Sequence, residues 1–195
     1  MEIKNHCANC PTNVHCCKFQ SSAGFTFVGL ADARRIQKKT KKNYAEFLEY
    51  TPLPQQTVDA LKHDDPSLEG TLRFSQLDRK NRILRLRKKE DKSCIFLDSQ
   101  GKCSIYDVRP NICRIYPLWA VRLISRKMKV IPHGSQSSCG ILTTLTTKNE
   151  DVEKNLSDKE IAELKSIFRN IEKENVDYKK NIKRFSEKHL LKQNI

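Results

Sequence analysis

The chain has 195 residues, of which 37% are hydrophobic and 31% charged, and its formal net charge is +14. That length supports one domain with a modest core. No run is long and apolar enough to read as a membrane span, and the opening Met1-Glu2-Ile3-Lys4-Asn5-His6-Cys7 lacks the apolar core of a secretory leader, so a cytoplasmic protein is expected. Eight cysteines are many for such a chain. An oxidising compartment would turn them into disulfides, but inside the cell clustered thiols more often bind metal.

Residues 148–195 carry 12 basic and 10 acidic side chains, so nearly all of the positive excess lies in residues 1–147. A basic excess suits an acidic partner such as nucleic acid, or simply a solvated face. It also suits a metal centre, because metal-bound cysteine is a thiolate and the formal count treats it as neutral.

In chain order, the first feature is the group Cys7, Cys10, Cys16 and Cys17. The backbone between these four thiols is too short to spread them through a core, so they are expected to converge. Pro11 and Asn13 mark a loop. Cys7 and Cys10, two residues apart, form a usual chelating pair. Adjacent Cys16 and Cys17 point to opposite sides of an extended chain, which argues against both binding one metal atom. His6 and His15 are ordinary zinc ligands beside better ones.

Residues 25–28 read as a short strand. A short helix follows from Leu30 to Thr40, with Asp32 near its start and a basic end that suits the helix dipole. Residues 43–50 read as a further turn or two of helix, ended by Pro52 and Pro54; residues 57–62 make a weaker helix. Residues 71–77 and 82–87 alternate apolar and polar, as half-buried strands do, and residues 78–81 would join them as a hairpin. Residues 94–98 and 102–106 flank a second tight turn at Ser99-Gln100-Gly101. Residues 108–115 read as a short helix with Pro110 in its first turn, ended by Pro117. Residues 118–125 and 128–132 suggest a third hairpin.

The tail differs. Ser157 and Glu160 form a capping box, and Leu156 with Ile161 fits the hydrophobic staple around it. Ile161, Leu164, Phe168, Ile171, Tyr178, Ile182 and Phe185 then define one stripe of a long amphipathic helix. Such a stripe usually packs on its own domain. The expected fold is therefore α+β: a small, loop-rich, metal-stapled domain over residues 1–147 with short β-hairpins and helices, and a long C-terminal amphipathic helix within a helical extension, 148–195.

Thiolates select zinc, copper(I) or iron–sulfur clusters over hard cations. A zinc ribbon would show a second closely spaced cysteine pair, but this chain has Cys94, Cys103, Cys113 and a lone Cys139. Irregular returns from distant loops favour a polynuclear cluster, and eight thiols match two four-ligand centres or one centre with four supporting cysteines. Arg109 and Arg114 flank Cys113. Their guanidinium groups are expected either to donate to cluster sulfurs or to form salt bridges.

The opening cluster, Cys94-Ile95-Phe96-Leu97-Asp98, Gly101-Lys102-Cys103-Ser104-Ile105-Tyr106, Arg109-Pro110, Cys113-Arg114 and Pro117 together resemble the YkgJ-type cysteine-cluster family, a zinc- or iron-chelating domain. The resemblance covers roughly residues 7–139 and implies Cys7, Cys10, Cys16, Cys17, Cys94, Cys103 and Cys113 as metal ligands, with Cys139 as the family's late cysteine. Five residues, 11–15, separate Cys10 from the cysteine pair, where the family usually has three. The same domain resembles part of flagellin lysine N-methylases, which implies methyl transfer as an alternative. All six glycines are isolated, so no nucleotide or S-adenosylmethionine loop is visible. His133 alone makes no catalytic group.

The expectation is a cysteine-ligated iron–sulfur protein, with a 4Fe-4S cluster first and zinc as the alternative, acting in intracellular redox or electron transfer with a protein partner. The competing readings are a protein lysine N-methylase-like enzyme or its accessory subunit, and a zinc-stabilised module for nucleic acid or protein. Nucleic acid is the less favoured partner, because the basic residues are dispersed and no finger spacing occurs. No catalytic residue is assigned.

Overall fold

The computed structural model describes residues 17, 28–52, 55–56, 82–116, 118–122, 125, 127–132 and 152–189. They form a mixed helix and strand fold. Helix α1 (Leu30–Thr40) starts at Gly29, whose N–H donates to the Asp32 carboxylate at 3.4 Å. It ends where Lys41 turns left-handed at φ 59° and returns its N–H to the Gln37 carbonyl.

Residues 43–50 depart from the helical expectation. Only Tyr44–Phe47 (α2) is helical, capped reciprocally by Asn43 and Glu46. The chain then extends as β1 (Leu48–Pro52), which pairs antiparallel with β2 (Arg82–Leu86) from Leu48↔Leu86 to Pro52↔Arg82. The strand wins because each side chain finds a cross-strand partner. Glu49 faces Arg85 at 2.7 Å, and the Arg82 guanidinium lies over the Tyr50 ring. Thus β1 is a partner of β2; the expected strand at 71–77 and its turn lie outside the described residues. Val28 donates its N–H to the Leu84 carbonyl at 3.2 Å, so the end of the predicted 25–28 strand does reach β2.

The turn at 99–101 forms as expected. Asp98 donates to the Lys102 carbonyl at 2.8 Å, and Gly101 adopts φ 74°, which glycine takes without strain. Its arms meet in a single bridge, Leu97↔Cys103, rather than as continuous strands, and Cys94 bridges back to Lys88. The predicted 108–115 helix is split. Tyr106–Val108 is a 3₁₀ turn, and α3 covers Asn111–Ile115, with Pro110 outside it as the capping residue at ψ 149°. The residue before a proline is pushed out of helical geometry, and Arg109 at ψ 152° obeys this. The third hairpin is present as β3 (Leu118–Arg122) against β4 (Met128–Pro132).

A 3₁₀ turn (Val152–Asn155) leads into α4 (Asp158–His189). The capping box is built as read: Ser157 N–H donates to Glu160 at 2.9 Å, and Glu160 N–H donates to the Ser157 hydroxyl at 3.3 Å. Two apolar clusters hold the fold. One gathers Val28, Leu30, Ala33, Ile36, Phe47, Leu48, Leu84, Leu86, Phe96, Ile105 and Phe185. The other gathers Ile115, Leu118, Val130, Val152, Leu156, Leu164, Ile167 and Phe168. Helix α4 contributes to both, with Leu164, Ile167 and Phe168 in one and Phe185 in the other.

Candidate metal centre

A backbone hydrogen bond links two distant cysteines. Cys94 donates its N–H to the Cys17 carbonyl at 2.7 Å, which brings Cys17 against Cys94. Cys94 is held from the other side by its bridge to Lys88 and by the Ile95 N–H, which donates to Arg87 at 3.0 Å. Cys103 stands opposite Leu97, and its carbonyl accepts the Tyr106 N–H at 3.2 Å. Cys94 and Cys103 are both half-buried against the apolar cluster that contains Phe96 and Ile105. Cys113 lies half-buried in α3.

Among the described residues, no three His, Cys, Asp or Glu side chains come close enough together to hold a metal ion. Cys7, Cys10, Cys16 and Cys139, with His6, His15 and His133, lie outside the described residues. A centre would therefore combine Cys17, Cys94, Cys103 or Cys113 with ligands from that set.

The surroundings of these cysteines are cationic. The Lys88 side chain is held below the usual lysine range chiefly by burial and also by Arg85, while Glu49 and Cys94 act the other way. Arg109 is only 8% exposed and lies 3.9 Å above the Tyr106 ring. Its Nε and Nη1 are buried and, among the described residues, meet no hydrogen-bond partner. A buried guanidinium with unmet donors is expensive unless an anion faces it. Thiolates of a metal centre are such anions, so both the donor chemistry of the cysteines and the state of Arg109 fit a soft metal. Arg114 is placed differently. It faces Glu163 of α4 at 3.6 Å and Asn111 Oδ1 at 3.5 Å, a half-exposed ion pair that links α3 to the long helix.

One group escaped the sequence reading. Asp32 is 3% exposed, and its carboxylate accepts from Arg35 at 2.6 Å and from the Asn111 N–H at 3.1 Å. The same Arg35 nitrogen donates to the Arg109 carbonyl at 2.9 Å. Two residues of α1 thereby grip both sides of Pro110, just before Cys113. Burial raises the Asp32 carboxyl above the usual range against the pull of Arg35 and of the Asn111 amide. In sequence Asp32 carried only the signal of a helix-start acid.

The elements and the site define a small cysteine-rich protein of mixed helix and strand. The chain belongs to the CxxCxxCC family, described as a "putative zinc- or iron-chelating domain", whose model matches residues 6–140. The motif in that name has two residues before the cysteine pair, one fewer than the resemblance implied, and this chain has five. No solved structure matches the chain. Among the described residues no helix is long and apolar enough to cross a membrane.

Proposed function

We propose that this chain binds an iron–sulfur cluster through its cysteines, a 4Fe-4S centre first, and serves in one-electron redox chemistry with a protein partner. The observation that carries the reading is the hydrogen bond from Cys94 to Cys17, which unites cysteines from two distant stretches. Spacings as uneven as those of Cys17, Cys94, Cys103 and Cys113 suit the separated corners of a polynuclear cluster better than one tetrahedral zinc. Such a cluster, when bound, supplies a reversible one-electron exchange.

The chain's own residues would do the rest. Cysteine thiolates hold the metal, drawn from Cys7, Cys10, Cys16, Cys17, Cys94, Cys103, Cys113 and Cys139. Arg109 donates its unmet N–H groups to sulfur and offsets thiolate charge. Phe96 and Ile105 exclude water from the Cys94 and Cys103 side. Residues 1–147 form the cysteine-cluster unit, and 148–195 the helical extension that packs upon it. Metal binding contributes to folding, since so small a core with so many loops gains much from a ligated centre.

The test is iron, zinc and acid-labile sulfide content with a visible spectrum, on protein purified without oxygen. Brown protein with about four iron and four sulfide supports one cubane cluster, and about twice that assigns all eight cysteines. Colourless protein with zinc and no sulfide overturns the iron–sulfur reading in favour of a structural zinc module.

A further inference from the structure

We infer that Asp32, Arg35 and Glu174 form a brace through which helix α4, beyond the stretch matched by the family, positions the segment bearing Arg109 and Cys113. Its consequence for metal rests on the reading above, but the brace itself does not.

The geometry runs in one unbroken series. Arg35 Nη2 holds Asp32 Oδ1 at 2.6 Å and the Arg109 carbonyl at 2.9 Å, and Asp32 Oδ2 accepts the Asn111 N–H at 3.1 Å. Pro110 between them has a fixed φ, so fixing the carbonyl before it and the amide after it fixes the direction in which α3 starts. That direction sets where Cys113 stands, and the Arg109 side chain leaves the chain from the same clamp. The Asn111 contact is buried, the two Arg35 contacts are partly buried, and all three involve a charged group, the strong class of hydrogen bond.

Glu174 brings in the long helix. Its carboxyl is seated against Gly29 at the start of α1, where burial, Asp32, Arg35, Arg34 and the Ala31 amide act on its charge. A Cβ added to Gly29 would collide with Glu174 Oε2, and Glu174 Cδ would lie 3.3 Å from it. Gly29 is therefore the seat for the Glu174 carboxyl at the start of α1. Since Gly29 is held at φ −70°, an ordinary value, its bare Cα is needed for this close approach and not for a turn. A side chain there evicts Glu174 while leaving α1 free to form.

The experiment is amide hydrogen exchange across the full-length chain, with zinc retention against a chelator measured on the same samples. Arg35→Met is expected to speed exchange of residues 111–116 about tenfold, as loss of a partly buried charged hydrogen bond does, and Arg35→Lys, which keeps the charge, to recover part of the protection. Gly29→Ala is expected to speed exchange over the start of α1 and over 111–116 together, whereas Glu174→Gln, which keeps the shape of the side chain seated on Gly29, stays near wild type. Lys42→Ala, in the exposed pair with Glu46, leaves 111–116 unchanged. If Arg35→Met unfolds the chain, Gly29→Ala alone decides.

Gly29→Ala that perturbs α1 and α4 but leaves 111–116 within about twofold of wild type overturns the brace. Faster zinc loss in the variants whose 111–116 segment opens extends the brace to the metal. Exchange that responds as expected in a chain that holds no metal keeps the brace and sinks the metal reading instead.

Discussion

The Asn111 amide donates to the Asp32 carboxylate at 3.1 Å across 79 residues of sequence. Asp32 is thus a shared acceptor for two elements, the start of α1 and the entry to α3. Asp32→Ala strands the Asn111 N–H and leaves Arg35 without its counter-charge. We expect a loss of about 3 kcal/mol in stability, measured by urea unfolding of the full chain. Asp32→Asn keeps an acceptor and should lose less. A loss for Asp32→Ala no larger than that of an exposed control would refute its assignment as a buried anchor.

Stability should fall as pH rises from about 4.5 toward 7. Burial, reinforced by Asp32, pushes the Glu174 carboxyl from its ordinary 4.5 up to about 7, against Arg35, Ala31 and Arg34. Between those values the folded chain holds a proton that the unfolded chain has released. Its stabilising contribution is therefore present below about 4.5 and is lost as pH passes 7. The melting temperature of the wild type should drop from about pH 5 to pH 7 more than that of Glu174→Gln, whose side chain does not titrate. Equal slopes in the two proteins would remove Glu174 as the source.

Single serine replacements at Cys17, Cys94, Cys103 and Cys113 should each release most of the bound metal. Chelation of the wild type should lower the melting temperature by about 10 °C or more, given how strongly structural metal contributes to small folds. Metal analysis and circular dichroism read both effects. A chelated chain that melts like the loaded one would rule out metal as a fold-maker here.

Arg109→Met should act with opposite sign in the two states. Without metal, it removes a buried guanidinium with unmet donors and stabilises the chain by on the order of 2 kcal/mol. With an iron–sulfur centre, it removes a positive charge that favours the reduced form, so the reduction potential falls. Arg114→Met, which loses only a half-exposed pair with Glu163, should change stability by less than about 1 kcal/mol and leave the potential alone.

What the sequence disclosed follows how local the cause was. The start of α4 was readable because Ser157, Glu160, Leu156 and Ile161 carry its cap within six positions. The 99–101 turn and the β3–β4 hairpin were likewise written in neighbouring residues. The β1–β2 pairing was not, because Phe47, Leu48 and Tyr50 suit a helix turn as well as a strand and β2 lies more than a strand's length away in sequence. Ile167 fell outside the expected stripe yet is buried, since a helix packed on a globular core buries a wider face than one narrow seam. At the site, cysteine spacing suggested thiolate ligands, but Arg109 and Arg114 looked alike. Only their surroundings, a closed aromatic face for one and Glu163 for the other, separate them.

The two apolar clusters draw on one helix at points about 30 Å apart, Leu164 to Phe185. Neither cluster therefore has a melting point of its own: to dissolve either, α4 must fray from that end, and the rod communicates the loss to the other. Cooperativity across the molecule is a property of the continuity of this one helix. Breaking that continuity midway should let the two clusters melt separately.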